Sequence, residues 1–385
     1  MRYPVVMITM SKTTRIFAGC MTGTSLDGLD IAIVEISGTG LEMSARLLEQ
    51  GSFSLGSMIE RLRELAEDKL VPPSKILRLQ REFGQFHADC LSEMTHAKQL
   101  DAVVCHGQTI RHLPDEHLSW QLFDPWPIAH QLHVPVCYDL RQADLIAGGN
   151  GAPVTPMSDW ILYRDATSPR WIVNLGGICN ITYLPQADCE NALQHIRGMD
   201  IGPCNLLLDG LVQQLFPNVR FDEDGIRASQ GQCQSDLLPV IEQAPFFKRP
   251  LPRTTGREDF DFHWVTSFIK QTQDKPCDLL HAAVDATARL LAKQVNDTDN
   301  AQLILAGGGS RHPLLVEKIR EHVRQPVLIS DELGIDVSMR EAMGFAVLGA
   351  LSQDGIPITL PQITGANLPG MSPGAGVAGA WVGGR

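Results

Sequence analysis

The sequence predicts an α/β fold in two lobes, and three observations carry that expectation. Its 385 residues exceed the size at which a single hydrophobic core usually stops growing. A strand, a Gly-containing polar turn and a second strand open the chain near Thr14, and the same grammar returns at 171–185 as WIVNLGGICNITYLP. A third segment, AQLILAGGGSRHPLLVEKIREHV, reads as a strand, a triple-glycine turn and a helix. Recurrence of the hairpin suggests one lobe plan used twice.

The first strand is expected to start near Thr14 and run to Gly19, after a short N-terminal extension (MRYPVVMITM) that lacks a small-residue cleavage site. MTGTSLDGLD is the turn and IAIVEI the second strand. Residues 56–100 carry Ile59, Leu62, Leu65 and Ala66 at helical spacing and predict two helices. LDAVVCHGQT is continuously apolar before a polar end, as befits a strand covered on both faces. ADLIAGGNGAPVTP, dense in Gly and Pro, marks a hinge or an active-site loop. Helices are expected at 204–216, 278–296 and 338–353. The end of the chain, GANLPGMSPGAGVAGAWVGGR, is too rich in Gly and Pro for a packed core and reads as a loose tail. These signals place lobe I at 1–140 with a return near 345–366, lobe II at 141–344 and the tail at 367–385.

Composition narrows the partners. A formal charge of −12 argues against nucleic acid or an anionic membrane surface. An anionic ligand must then be held locally, by backbone amides, a few Arg or Lys, or a metal. Nine scattered cysteines with no CxxC pair fit a reduced cytoplasm better than a disulfide scaffold. No apolar run is long enough to span a bilayer as a helix.

Three Gly-rich turns carry the candidate chemistry. In the first, Gly23, Thr24, Ser25, Leu26, Asp27, Gly28, Leu29 and Asp30 lie where backbone N–H groups can converge on a phosphate chain without Cβ obstruction. Acidic residues inside such a turn would repel phosphate directly, so they point to Mg²⁺ between carboxylate and phosphate, with Asp27 the candidate ligand. The second turn holds Asn174, Gly176 and Gly177. The third, Gly307, Gly308 and Gly309, would allow a flat base or a phosphate to approach a helix N-terminus.

In that order the turns resemble the sugar kinase and actin-like ATPase superfamily, and GTSLDGLD narrows the resemblance to the anhydro-N-acetylmuramic acid kinases. Supporting tracts span residue 16 to about 366 and include His106-Gly107-Gln108-Thr109, Asp139-Leu140-Arg141 with Asp144, the Gly148–Pro153 loop, Asp200-Ile201-Gly202-Pro203-Cys204-Asn205 with Asp209, Thr255-Gly256-Arg257-Glu258, and Glu341-Ala342. The resemblance implies a nucleotide cleft between the two lobes, with ATP and Mg²⁺ as cofactors. It also implies that the 1,6-anhydro bridge of 1,6-anhydro-N-acetylmuramic acid is opened by water while the 6-oxygen is phosphorylated. Five positions depart from the family pattern: Ile201 stands for Thr, Cys204 for Gly, Asn150 for Gln and His312 for Asn, and the family's His after its GAP loop is missing, with Ser158-Asp159 nearby.

Within that resemblance Asp200 is the candidate base that activates water, with helix capping as its structural alternative. Glu341 is the second catalytic candidate, near the anomeric carbon or ring oxygen. Arg141 and Thr109 are candidates for binding the sugar or its lactyl carboxylate, since Arg suits bidentate carboxylate recognition; a salt bridge from Arg141 to Asp144 is the competing reading. His106 is more readily a hydrogen-bonding residue at a strand end than a base. The partner expected is a small-molecule anhydro amino sugar, with neither nucleic acid nor membrane, and a homodimer stays open. The rivals are a kinase for another sugar, a nucleotide-independent hydrolase using Asp200 and Glu341, and a non-catalytic nucleotide-dependent sensor. Gly374–Gly379 fits GxGxxG without a βαβ unit, and Asp222-Glu223-Asp224-Gly225 lacks the spacing of a calcium loop, so both are set aside.

Overall fold

The computed structural model describes residues 14–383 except 24, 25, 27, 68, 233, 234, 254, 256, 273 and 368–375. Its strands are β1 (Thr14–Thr22), β2 (Leu29–Ser37), β3 (Ser44–Phe53), β4 (Ala102–Cys105), β5 (Gln108–Leu113), β6 (Leu118–Leu122), β7 (Val136–Tyr138), β8 (Arg170–Leu175), β9 (Ile178–Leu184), β10 (Arg197–Pro203), β11 (Gln302–Ala306), β12 (Val327–Ile329) and β13 (Ala380–Val382). The chain forms two compact units. One comprises Met1–Leu162, Glu341–Pro361 and Ala366–Arg385; the other comprises Tyr163–Arg340 and Gln362–Gly365.

The expected repetition is visible in the sheets. In the first unit the order is β13-β7-β4-β1-β2-β3, and in the second β10-β9-β8-β11-β12. Each contains an antiparallel three-stranded meander (β1-β2-β3, β8-β9-β10) whose first strand then pairs in parallel with a later strand, β4 or β11. The next strand outward, β7 or β12, is again parallel. Parallel pairing demands a crossover, and helices supply it, so the central strands are covered on both faces. β4 is accordingly buried at every residue. Each inner parallel strand is also followed by a glycine of positive φ: Gly107, two residues beyond β4, and Gly307, directly after β11.

In the first unit the Arg340–Gln353 helix lies against β1. It is apolar on nearly all sides, which suits a helix enclosed by other elements. Backbone meets backbone at this contact: a Cβ on Gly19 would stand 1.9 Å from the Ala342 carbonyl oxygen and 2.6 Å from the Ala346 nitrogen. In the second unit the Pro276–Val295 helix buries most of its length in a core with Val173, Leu175, Leu303 and Leu305.

Three expectations need correction. The lobe boundary falls at Leu162, not 140, because Arg141 bonds His106 and the Gly149 carbonyl accepts from His117, tying this loop to the first unit. β3 was not anticipated; it is a sheet edge whose sequence, SARLLEQGSF, shows no clean apolar alternation. The supposed loose tail includes β13, which pairs antiparallel with β7, and Trp381 donates to the Ser352 hydroxyl. Glycine serves that docking: Gly379 has φ +99° and a Cβ there would meet Cys137 Sγ at 2.6 Å. Residues 1–13 and 368–375 lie outside the described residues.

Gly19→Ala should destabilise the fold by about 1–3 kcal/mol or more, because neither main chain can give way as a side chain would. Urea unfolding measures this, and an unchanged midpoint would contradict the contact.

Candidate functional site

In the first unit, Thr22 and Leu29 close the β1–β2 hairpin as paired residues. Of its candidate phosphate contacts, Thr24, Ser25 and Asp27 lie outside the described residues. Gly23 accepts from the Leu26 N–H at 3.2 Å and from Gln108 Nε2 at 3.3 Å. Leu26 (φ +60°) and Leu29 bury their side chains in the core, so they can offer a ligand only backbone. Gly28 packs tightly, since a Cβ would stand 3.0 Å from the Phe53 carbonyl oxygen. Asp30 sits in β2 and its carboxylate accepts from Ser52 at 2.6 Å.

Beyond β4 the chain places His106 against Arg141. Arg141 Nη2 is 2.9 Å and Nε 3.3 Å from His106 Nε2, and Nη1 donates to the Gly151 carbonyl at 2.7 Å. Nε2 therefore acts as the acceptor of a neutral imidazole. Burial, and then the Arg141 cation, push His106 down to about 3. His106 thus holds Arg141 and is not poised as a base near neutral pH. Burial lowers Arg141 to about 10, against the pull of Glu341 and Asp144, so the guanidinium stays charged at neutral pH. Asp144 accepts from the Gly151 N–H at 2.8 Å. Thr109, on β5, has its hydroxyl 3.5 Å from Gln121 Nε2. Glu341 opens the Arg340–Gln353 helix.

The second unit brings the other two turns together. The Cys204 and Leu206 N–H groups donate to the Gly177 carbonyl and Asn205 N–H to the Gly176 carbonyl, all at 3.0 Å, so the β8–β9 turn sits on the start of the Asn205–Leu215 helix. Asn205 Nδ2 also reaches the Leu175 carbonyl. From the other side the turn after β11 presses in: a Cβ on Gly307 would stand 2.4 Å from Asn174 Oδ1, and one on Gly309 2.8 Å from Leu175 Cβ. These two glycines are required by packing. Gly308 is exposed and has only Asn205 Nδ2 within 4 Å, at 3.9 Å, so it is the member of the triplet that a ligand can approach.

Asp200 lies on β10 at a break in the β9 pairing between Asp200 and Gly202. Its N–H donates to the Arg253 carbonyl at 2.9 Å, and its Oδ2 accepts from the Thr255 N–H at 2.8 Å. The capping alternative fails, because Cys204 is the residue that precedes the helix. Burial raises Asp200 to about 6, opposed by the Thr255 N–H. A carboxylate with that midpoint is ionised at neutral pH and basic enough to accept a proton. Asp209 is a second perturbed carboxylate, pushed up to about 7 by burial. The sequence reading left it and Asn205 out of the site. Its signal was a lone acid in the apolar helix NLLLDGLVQQL, four residues after Asn205. Among the described residues no group of three His, Cys, Asp or Glu side chains could hold a metal ion by itself.

A family model described as anhydro-N-acetylmuramic acid kinase matches residues 15–376. The anhydro-N-acetylmuramic acid kinase of Saccharophagus degradans is 34% identical, covering 91% of this chain and 96% of its own. That of Gloeobacter violaceus is also 34% identical, over 90% and 95%. The chain belongs to the anhydro-N-acetylmuramic acid kinase family. It is therefore an enzyme, a sugar kinase that uses ATP. Among solved structures, the activator of the 2-hydroxyisocaproyl-CoA dehydratase from Clostridium difficile with bound ADPNP aligns over 88% of this chain and 95% of its own, at 14% identity and a TM-score of 0.43. No helix among the described residues is long and apolar enough to cross a membrane.

For a kinase of this family the Gly307 contact gives a direct test. Gly307→Ala must displace Asn174, and a shift of about 1 Å in a positioning element can cost about 10²-fold. Turnover at limiting ATP should fall accordingly. Gly334→Ala is the control: it shares a positive φ (+77°) but has nothing within 4 Å, so it carries backbone strain without the clash. Equal losses in the two variants would refute the packing argument.

Proposed function

We propose that Asp200 is the base that delivers water to the anomeric carbon of 1,6-anhydro-N-acetylmuramic acid. The observation that carries this is its position: a carboxylate at a break in strand pairing, oriented by one N–H and raised to about 6 by burial. Water attacks C1, Asp200 takes its proton, and the C1–O6 bond breaks. The departing 6-oxygen forms a bond to the γ-phosphoryl group of ATP as the bond to the β-phosphate oxygen breaks. The products are N-acetylmuramic acid 6-phosphate and ADP, as suits recycling of cell-wall amino sugars in the cytoplasm. One oxygen thus serves as leaving group in the first half and nucleophile in the second, so no separate acid is needed to protonate it.

Glu341 is assigned to the anomeric carbon or ring oxygen, where negative charge favours developing oxocarbenium character. Arg141, kept charged and braced by His106, is assigned with Thr109 to the sugar or its lactyl carboxylate. The backbones of Gly23, Leu26, Gly28, Asn174, Gly176, Gly177 and Gly308, with the hydroxyls of Thr24 and Ser25, are assigned to the nucleotide. Mg²⁺ would be held chiefly by the phosphates with Asp27 as the protein carboxylate, an arrangement usual for an ion that keeps several waters. It would supply charge neutralisation at the transferring group.

Turnover should require both ATP and Mg²⁺; consumption of the anhydro sugar in EDTA without nucleotide would point to a hydrolase instead. The test of Asp200 is Asp200→Asn. Loss of a general base costs about 10²–10⁴-fold in rate, with the KM for ATP retained. Stability gives an independent sign. The folded state holds the Asp200 proton more tightly than the unfolded chain between 3.8 and about 6, so this group's contribution to stability falls as pH rises through that window. At neutral pH Asp200→Asn should therefore melt no lower than wild type. In ¹⁸O-labelled water the label should enter the product at C1; label confined to released phosphate would overturn the assignment.

A further inference from the structure

β10 is the outer strand of its sheet, so among the described residues no strand beyond it aligns the backbone around Asp200. Its far side is instead met by Arg253 and Thr255, neither in a strand or helix: Arg253 offers its carbonyl to the Asp200 N–H, and Thr255 offers its N–H to the Asp200 carboxylate. Irregular backbone keeps such an aim only if side chains fix it. The Arg253 guanidinium lies over the rings of Phe246 and Phe247, at 4.5 and 4.9 Å, and donates to the Phe247 carbonyl at 3.2 Å. The Thr255 hydroxyl donates to Asp259 Oδ2. Asp259 in turn is gripped by both terminal nitrogens of Arg249, at 2.7 and 2.8 Å.

We propose that Thr255 and Asp259 are positioning residues for Asp200, with Asp259 anchoring the Thr255 hydroxyl so that the Thr255 N–H stays on the carboxylate. This rests on the reading of Asp200 as the base. Arg249 and Asp259 form a bidentate pair with Asp259 nearly buried, its side chain 12% exposed. An exposed ion pair in a loop would contribute little to stability. What distinguishes this one is that the chain of hydrogen bonds it begins ends on the reacting carboxylate.

The consequence concerns the charged form. A carboxylate that accepts an N–H is stabilised as the anion, so losing that bond raises its midpoint further. Among the described residues Cys179 and Arg253 are titratable neighbours of Asp200. Cys179 on β9 is held well above its ordinary value by burial, then by Cys204 and Asp200, and stays neutral. Arg253 is lowered by burial, against the pull of Glu242.

The experiment compares Thr255→Val, Thr255→Ser and Asp259→Ala in the full chain. Three readouts are followed: the pH profile of kcat/KM, the KM for ATP, and the Asp200 carboxyl midpoint by ¹³C NMR, assigned with Asp200→Asn. Thr255→Val and Asp259→Ala should move the acid limb and the NMR midpoint upward together. A shift of one unit lowers the rate about 10-fold on the acid side, with recovery at high pH. The KM for ATP should stay within about twofold, and Thr255→Ser, which keeps the hydroxyl, should restore the wild-type profile. A folded Thr255→Val whose NMR midpoint matches wild type overturns the proposal, as does a loss of rate equal at every pH. The Thr255 pair decides the matter by itself should Asp259→Ala not fold. The reading of Asp200 as base fails separately, if Asp200→Asn keeps its turnover, and the NMR midpoint still tests the positioning in that case.

Discussion

Close approach of packed elements at glycine, where a Cβ would collide, is the constraint on which the rest of this structure depends. The chain builds a meander and a parallel crossover twice, and both times an element must press directly on a strand or on the turn that follows it. Gly19 admits the Arg340–Gln353 helix to β1, and Gly349 in that helix admits Val104 of β4, whose Cγ2 would stand 2.1 Å from a Cβ. Gly307 and Gly309 admit Asn174 and Leu175. A ligand-binding turn on such a scaffold is set by packed backbone, and backbone costs little entropy to hold once the core has formed. The glycines thus work mainly on the protein side; Gly308 alone of its triplet faces outward.

Charge is handled with the same economy. The protein is acidic overall, yet the groups assigned to chemistry sit in pairs whose members act on one another. Burial keeps His106 neutral and the Arg141 cation adds to that, so its Nε2 can accept from Arg141 while the guanidinium stays charged. Asp200 shows the converse. Burial makes it basic, while a single N–H moderates that rise. A carboxylate with more N–H partners would be a weaker base, and one with none would be protonated closer to neutrality.

Much of this was legible in the residues. The two hairpins, the β11–GGG–helix unit and the long helices announce themselves through apolar period and Gly spacing, because those are local properties. What escaped was non-local. β3 is an edge strand with a mixed face, and its place is decided by β2. β13 is short and embedded in Gly and Pro; it becomes a strand because β7 offers an open edge and Gly379 lets the chain pass Cys137. The lobe boundary lies past 140, where bonds from Arg141 to His106 and from His117 to Gly149 tie the loop to the first unit, ties that a composition change does not reveal. At the site, the type and region of Asp200 could be read from a turn-like motif, whereas its fixing by Thr255 required a segment more than fifty residues away.

The departures at 201 and 204 show how the core decides what a motif can tolerate. A side chain at 204 is expected to crowd the turn if the position suits only glycine. The backbone there has φ −127°, so a Cβ meets no penalty from positive φ. The thiol is fully buried, among the residues of the second unit's core, and burial followed by Asp209 pushes it up to about 12. Such a thiol behaves as a small hydrophobe and not as a nucleophile. Ile201 joins the same core with 2% exposure. Both side chains thus add apolar volume to the second unit's core. Burial raises Asp200, and the Thr255 N–H is the hydrogen bond that opposes it.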